Sequence, residues 1–302
     1  MLDLDRLRAL HAVANHGSVR AAAAALHLTT SAVSQQLTKL ERETQAKLLE
    51  RHGRGVRLTD AARLLAGHAE DILARIEQAE SDFEAHRGEV VGQLRIGAFP
   101  TALRGLAPAA LRTLADRYPR LTIEMQEIEP LEAVRDIARG SMDIAIVQDW
   151  QSLPLAIPER IARAPLADDV ADLAVPSTHP LAGRRTVKLR DVMAEPWIAS
   201  PPGAVCYDLL VQTIRSYDTE PRIVHVADEY QTQLALVGAG LGLGILPRLG
   251  RTELPGGVAV LCTDPALVRS VYAIWREPVA ALPTIRAAVT AFQEAAHPTT
   301  DG

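Results

Sequence analysis

The apolar positions near the amino end of the chain fall into short helical stripes, each preceded by a capping residue. Leu7, Leu10, Val13 and Ala14 share one helical face. Ser18 is a good N-cap for an alanine-rich segment, Val19 to Leu26, whose small side chains let a neighbouring helix come close. Thr29 can cap another helix in which Val33, Leu37 and Leu40 lie on one side. The opposite side carries Thr30, Ser31, Ser34, Gln35, Thr38 and Lys39, and no acid occurs from Thr29 to Leu40. Solvated surface helices ordinarily mix Glu and Lys. Hydroxyls, an amide and one cation are instead the groups that meet base edges and phosphate oxygens in a major groove. The pattern predicts three packed helices, the third of which reads double-stranded DNA.

Beyond Glu41, glycines at Gly53 and Gly55 allow a tight hairpin from which Arg51, Arg54 and Arg57 project positive charge. A basic hairpin beside a reading helix is a wing, and Arg51 and Arg54 are its expected DNA contacts. Thr59 then caps a long helix reaching about Arg87, with Gly67 as its only glycine and no proline. Ala62, Leu65, Ala69, Ile72, Ile76, Ala79 and Phe83 alternate steps of three and four, the seam of a coiled coil. This narrow stripe predicts pairing with a second copy of the chain, and hence a homodimer that presents two reading heads.

After Gly92 the periodicity switches to strands alternating with helices, which implies parallel strands covered by helices. GQLRIGAF, LTIEMQE and MDIAIV read as strands, with helices over Leu103 to Tyr118 and Pro130 to Arg139 between them. A second set follows: ADLAVP, a helix from Tyr207 to Tyr217, RIVHV, a helix from Glu229 to Val237, LGILP and VAVLC. The strand SVYAIW and a helix from Pro283 to Ala296 close the chain.

Length and charge divide the chain the same way. Its 302 residues exceed one ordinary domain, and a hydrophobic content of 48% supplies ample core. The net charge of -5 is unevenly spread: residues 1–65 balance at +4 and the remainder at −9, a basic head on an acidic body. Only two cysteines occur, Cys206 and Cys262, with no CxxC, so neither a disulfide framework nor a zinc site is expected. The opening MLDLDRLRAL lacks the pattern of a signal peptide, and the apolar run Leu234 to Pro247 is too short and glycine-rich to span a bilayer. A cytoplasmic protein without membrane contact is expected. Gly238, Gly240, Gly242 and Gly244 do not give the G-x-G-x-x-G turn of a nucleotide site and fit a helix end passing into a packed strand. No histidine cluster has metal-ligand spacing and no nucleophile–base pair stands out, so neither a cofactor nor an enzymatic activity is expected.

The amino-terminal arrangement resembles that of LysR-type transcriptional regulators. The resemblance is carried by Gly17 and Ser18, the alanines Ala21 to Ala25, the capped segment Thr29 to Glu41, Arg51, Arg54, and Leu58 with Thr59. Gln45 stands where that family usually has glycine, Leu49 where it has phenylalanine, and Ala62 where glycine commonly opens the linker helix. The resemblance implies an α/β protein with a winged helix-turn-helix at 1–58, a linker helix at 59–88 and an effector domain at 92–302. It further implies that the effector domain consists of two periplasmic-binding-protein-like subdomains, 92–160 with 269–302 and 161–268, joined by two crossovers. A small-molecule effector would lie between them, and the homo-oligomer expected is a homodimer or a homotetramer.

Open sheets bind ligands beyond the carboxyl ends of their strands, near free helix N-termini. That places Phe99, Pro100 and Thr101, then Gln148, Asp149 and Trp150, and across the crossover Ser200, Gly203 and Tyr207 around the cleft. Thr101 and Ser200 beside helix N-termini would suit an anionic metabolite. The leading expectation is a one-component regulator that binds an inverted repeat as a homo-oligomer. The competing ones are a thiol-based redox regulator using Cys206 and Cys262, and a cytoplasmic small-molecule-binding protein.

Overall fold

The computed structural model describes residues 2–52 and 55–297, together with the backbone but not the side chains of residues 51, 52, 55 and 56. Two compact units are present, Met1–Glu89 with Pro278–Leu282, and Val90–Glu277 with Pro283–Gly302.

In the amino-terminal unit, α1 (Leu4–His16), α2 (Val19–Ala25) and α3 (Thr30–Thr44) begin on side chains that satisfy their first orphan N–H groups. Asp3 accepts from Asp5 and Arg6, Ser18 from Ala21, and Thr29 from Ala32. The expected stripes are the core: Leu7, Leu10, Val13, Ala22, Ala23, Val33, Leu37 and Leu40 are all buried together. Gln45, in the place of the family's glycine, ends α3 at φ 52, a left-handed conformation that glycine adopts more cheaply. Strands β1 (Leu49–His52) and β2 (Gly55–Leu58) form the antiparallel hairpin, pairing Leu49 with Leu58 and Arg51 with Val56. The hairpin tip, Gly53 and Arg54, lies outside the described residues, as does the side chain of Arg51.

The long helix α4 (Asp60–Arg87) starts on Thr59, whose hydroxyl accepts from Ala62. Its seam divides. Ala62, Ala66 and Ala69 are buried in the core of the head, with Leu65 packed against it, so the first two turns of the stripe are covered by the chain's own helices. Farther along, Ile72 is 37% and Phe83 66% exposed. The expectation that the whole stripe pairs with a second copy therefore needs correction for its first part: alanines let α1 approach closely enough to bury it.

The second unit contains β3 (Gly92–Ala98), α5 (Pro100–Gly105), α6 (Ala107–Arg117), β4 (Leu121–Glu127), α7 (Pro130–Arg139), β5 (Ile144–Trp150) and β6 (Ile161–Pro176). It continues with β7 (Thr186–Lys188), β8 (Trp197–Ala199), α8 (Val205–Arg215), β9 (Ile223–Val226) and α9 (Tyr230–Gly238). Strands β10 (Gly244–Pro247), β11 (Val258–Asp264) and β12 (Leu267–Arg276) and helix α10 (Pro283–Ala296) complete it. The main sheet runs β4-β3-β5-β12-β6-β11-β7, with β10 also on β6, and β8 pairs with β9 separately.

The expected parallel arrangement holds for β3 with β4 and β5, and for β8 with β9. It fails in the middle, where β12 lies antiparallel between β5 and β6. The two crossovers are thus the long strands β6 and β12 themselves, and β6 starts ten residues before the apolar run ADLAVP that marked it. The helix expected over Leu103 to Tyr118 is two helices that meet at Leu106, because Pro108 has no N–H to give to an uninterrupted helix. At the glycine series, α9 ends on Gly238, and a Cβ on Gly242 would stand 2.9 Å from the Pro196 carbonyl, so close backbone approach accounts for the glycine there.

Candidate DNA-reading face and effector cleft

All six residues expected to read DNA, Thr30, Ser31, Ser34, Gln35, Thr38 and Lys39, are exposed on α3. The hydroxyls of Ser34 and Thr38 donate back to the carbonyls of Thr30 and Ser34, at 2.8 and 2.9 Å. Thr29 and Ser31 share a hydrogen bond of 2.9 Å. Gln35 and Lys39 have no such partner among the described residues, which leaves a two-donor amide and an ammonium to meet a duplex.

Glu41 ties this helix to the wing. Its carboxylate accepts from the backbone N–H of Leu48 at 2.9 Å and of Leu49 at 3.4 Å, and from Lys47 Nζ at 3.4 Å. Burial opposes ionisation of Glu41, but the two N–H donors and Lys47 outweigh it and hold the carboxyl below its usual range. On the wing itself, Arg57 is engaged by Glu50 at 2.7 and 2.9 Å and is not a free cation.

In the second unit, the centre of the candidate cleft is a residue that was not among the expected ones. Arg269, on β12, has no solvent exposure. Its Nε and Nη2 meet Asp169 Oδ2 at 2.8 and 2.7 Å, Nη2 donates to Thr101 Oγ1 at 2.8 Å, and Nη1 donates to Gln148 Oε1. The guanidinium carbon lies 5.2 Å from the ring centre of Phe99 and 5.5 Å from that of Trp150. Four of the expected cleft residues, Phe99, Thr101, Gln148 and Trp150, are therefore brought together around one cation. Gln148 and Trp150 lie within the last three residues of β5, which extends past the apolar run MDIAIV that marked the strand, and they pair with Val271 and Arg269 of β12.

The arrangement reaches across to α8. Gln148 Nε2 is 3.9 Å from Cys206 Sγ, and the Tyr230 hydroxyl donates to the same sulfur at 3.1 Å. Ser200 accepts from Gln233 Nε2 at 3.3 Å, which also donates to the Ala227 carbonyl. Pro100 is the first residue of α5, Gly203 stands in the turn before α8 at φ +95, and Tyr207 packs against the core around Trp197 and Leu210. Among the described residues, none of these last three is hydrogen-bonded to the Arg269 cluster.

The cleft holds charges of both signs. Arg269 is already paired with Asp169. Burial pushes the Glu129 carboxyl up, and Asp228 reinforces this, while the N–H of Val205 at the start of α8 pulls the other way. Burial likewise raises the Cys206 thiol, against Arg269 and Tyr230, so its thiolate is disfavoured. Cys262 is an exposed free thiol beside Arg248. Among the described residues no group of His, Cys, Asp and Glu is placed to hold a metal ion, and no helix is long and apolar enough to cross a membrane.

A capped helix-turn-helix followed by this two-lobed α/β unit has counterparts. Residues 4–63 match the lysR family of bacterial regulatory helix-turn-helix proteins, and residues 87–297 match the LysR substrate binding domain. The chain belongs to the LysR family. The Escherichia coli K12 transcriptional regulator YnfL is 31% identical over 250 residues, covering 82% of each protein. A probable hydrogen peroxide-inducible genes activator of Streptomyces viridosporus is 30% identical over 245 residues, 81% of this chain and 77% of that one. Among solved structures, a full-length OxyR variant from Pseudomonas aeruginosa superposes with a TM-score of 0.67 at 20% identity, covering 97% of this chain and 98% of that one. The LysR family regulator CbnR gives 0.53 at 24%, covering 96% and 100%. This LysR-type transcriptional regulator thus has the DNA-binding head, linker helix and two-subdomain effector-type domain of its family.

Proposed function

We propose that this regulator binds an inverted-repeat site as a homodimer in the cytoplasm and responds to a small molecule held between its two effector subdomains, without catalysing a reaction. The observation that carries the DNA reading is the exposed, acid-free face of α3, with Gln35 and Lys39 uncommitted and the wing fastened to its end through Glu41. Residues 1–58 form the reading module and 59–88 the linker. The uncovered apolar positions Ile72 and Phe83 on α4 supply the surface for the second copy. Arg51 and Arg54 follow the phosphates on either side, and pairing of dimers into tetramers remains part of this proposal.

For the effector, subdomain I comprises 92–160 and 269–302 and subdomain II 161–268, so β6 and β12 are the moving connections. Phe99, Pro100, Thr101, Gln148 and Trp150 form one wall and Ser200, Gly203 and Tyr207 the other. A ligand acts by favouring one arrangement of these walls over another. Because Arg269 is matched by Asp169, an anionic ligand would have to exchange with Asp169 or displace Thr101 and Gln148 from the guanidinium. The redox alternative gains no support from Cys206, whose burial disfavours the thiolate.

Selection of binding sites from random duplex DNA by the full-length chain tests the reading. The expected product is a sequence with two symmetric half-sites about one or more helical turns apart. Recovery of no enriched sequence, or of a single unrepeated half-site, would overturn it.

A further inference from the structure

The three central strands of the second unit carry different chemistry on their two faces. Arg269 pairs across the sheet with Trp150 on β5 and Asp169 on β6, and this row forms the buried cluster described above. The next residue of β12, Ser270, pairs with Asp149 and Asp168. Side chains of directly paired residues share a face and alternate along each strand, so Asp149, Ser270 and Asp168 form a row on the opposite side. Ser270 Oγ donates to Asp168 Oδ1 at 2.9 Å. Two residues along β12, the Tyr272 hydroxyl donates to Asp149 Oδ2 at 3.2 Å, and Arg163 covers the Tyr272 ring at 5.8 Å.

These five residues line a groove of about 790 Å³. Among the described residues neither carboxylate forms an ion pair, and Arg163 forms none either. Opposite charges therefore face one groove and are left uncompensated by each other, separated by an aromatic ring and two hydroxyls. Surface side chains free to pair would ordinarily approach one another, whereas here the sheet register and the Tyr272–Asp149 bond keep them apart.

We propose that this groove is a second small-molecule site, distinct from the cleft around Arg269, which takes a zwitterion of the amino-acid class. The ammonium group lies between Asp149 and Asp168, where both carboxylates accept from it, and the ligand carboxylate meets the guanidinium of Arg163. Burial and the neighbouring Asp149 push the Tyr272 hydroxyl well up, so it stays protonated and keeps donating to Asp149. A ligand here grips β12 and β6 from one side while Arg269 and Asp169 hold the same strands from the other. Occupancy is thereby coupled to the cleft through adjacent residues, Ser270 with Arg269 and Asp168 with Asp169.

The test uses the full-length chain and, as probes, the twenty proteinogenic amino acids singly at millimolar concentration, read by thermal shift and then calorimetry. At least one is expected to bind saturably. Its affinity should fall at least tenfold in Asp168→Asn, further in Asp149→Asn/Asp168→Asn, and at least fivefold in Arg163→Gln, and should survive Ser200→Ala in the cleft. The corresponding N-acetyl derivative, which lacks the ammonium, should not bind. Asp168 and Arg163 are exposed, so those variants leave the fold intact. Absence of binding by all twenty, equal affinity in wild type and the charge variants, or loss of binding in Ser200→Ala alone would each overturn the proposal.

Discussion

Replacing Asp169 by alanine should be among the most damaging single changes in the effector unit. Asp169 is 7% exposed and Arg269 is fully buried. The substitution removes Oδ2, the oxygen that holds the guanidinium through both Nε and Nη2, and with Oδ1 strips the Leu249 N–H of its acceptor at 2.9 Å. Removing one partner of a buried ion pair leaves an uncompensated charge, which costs about 3–5 kcal/mol. In a unit of this size that corresponds to a fall in Tm of roughly 6–20 °C. All three tryptophans, Trp150, Trp197 and Trp275, lie in the second unit, so urea unfolding followed by tryptophan fluorescence reports that unit within the whole chain. The double variant Asp169→Leu/Arg269→Met removes both charges and should recover a large part of the loss, since an apolar pair of similar volume avoids the desolvation cost. A loss below about 1 kcal/mol in Asp169→Ala, the level of an exposed pair, would refute the assignment of Arg269 as a buried, singly compensated cation.

Gln35→Ala should change which bases are preferred in a selected site while leaving the salt dependence of binding unaltered, and Lys39→Ala should weaken binding to all sequences and flatten that dependence; competition with variant duplexes at several salt concentrations separates the two. Phe83→Glu together with Ile72→Glu should shift the chain from dimer to monomer in sedimentation velocity, with the head still folded because its core ends at Ala69. At Glu129, where burial and then Asp228 raise the carboxyl, the folded state favours the protonated form, so stability falls as pH rises from the unfolded value through the folded one. Glu129→Gln should therefore raise Tm at pH 7 and lose that advantage toward pH 4, as checked by thermal unfolding across that range. A constant difference at all pH values would assign the effect to packing.

The amino-terminal unit was legible because its determinants are local. Ser18, Thr29 and Thr59 cap helices through hydrogen bonds within three residues, and Leu7, Leu10, Val33, Leu37 and Leu40 are fixed by helical spacing. The fate of α4 was only half legible, since spacing shows an apolar stripe but not which molecule covers it. In the second unit the helix expected across Leu103 to Tyr118 missed the break that Pro108 itself announces. Arg269 was invisible for a different reason. In a strand with alternating apolar positions, a charged residue reads as solvent-facing, and its burial depends on Asp169, Gln148 and Thr101, at least a hundred residues away. The one available signal was the acidic pair Asp168 and Asp169 flanked by Leu166, Ala167, Val170 and Ala171, where an acid on a covered face calls for a cation. The same register explains why Asp149, placed by the sequence beside the cleft, faces the opposite groove while its neighbours Gln148 and Trp150 face Arg269.

The most direct test of the account is the stoichiometry and salt dependence of the complex between the full-length chain and a duplex bearing its selected site, measured by anisotropy and sedimentation in parallel. Two chains should bind per inverted repeat, with affinity falling steeply and log-linearly as salt rises, and Phe83→Glu/Ile72→Glu should abolish the two-chain complex. A single chain that binds the full site with undiminished affinity, or binding indifferent to salt and to the α3 substitutions, would contradict the claim that a paired, acid-free α3 face reads DNA.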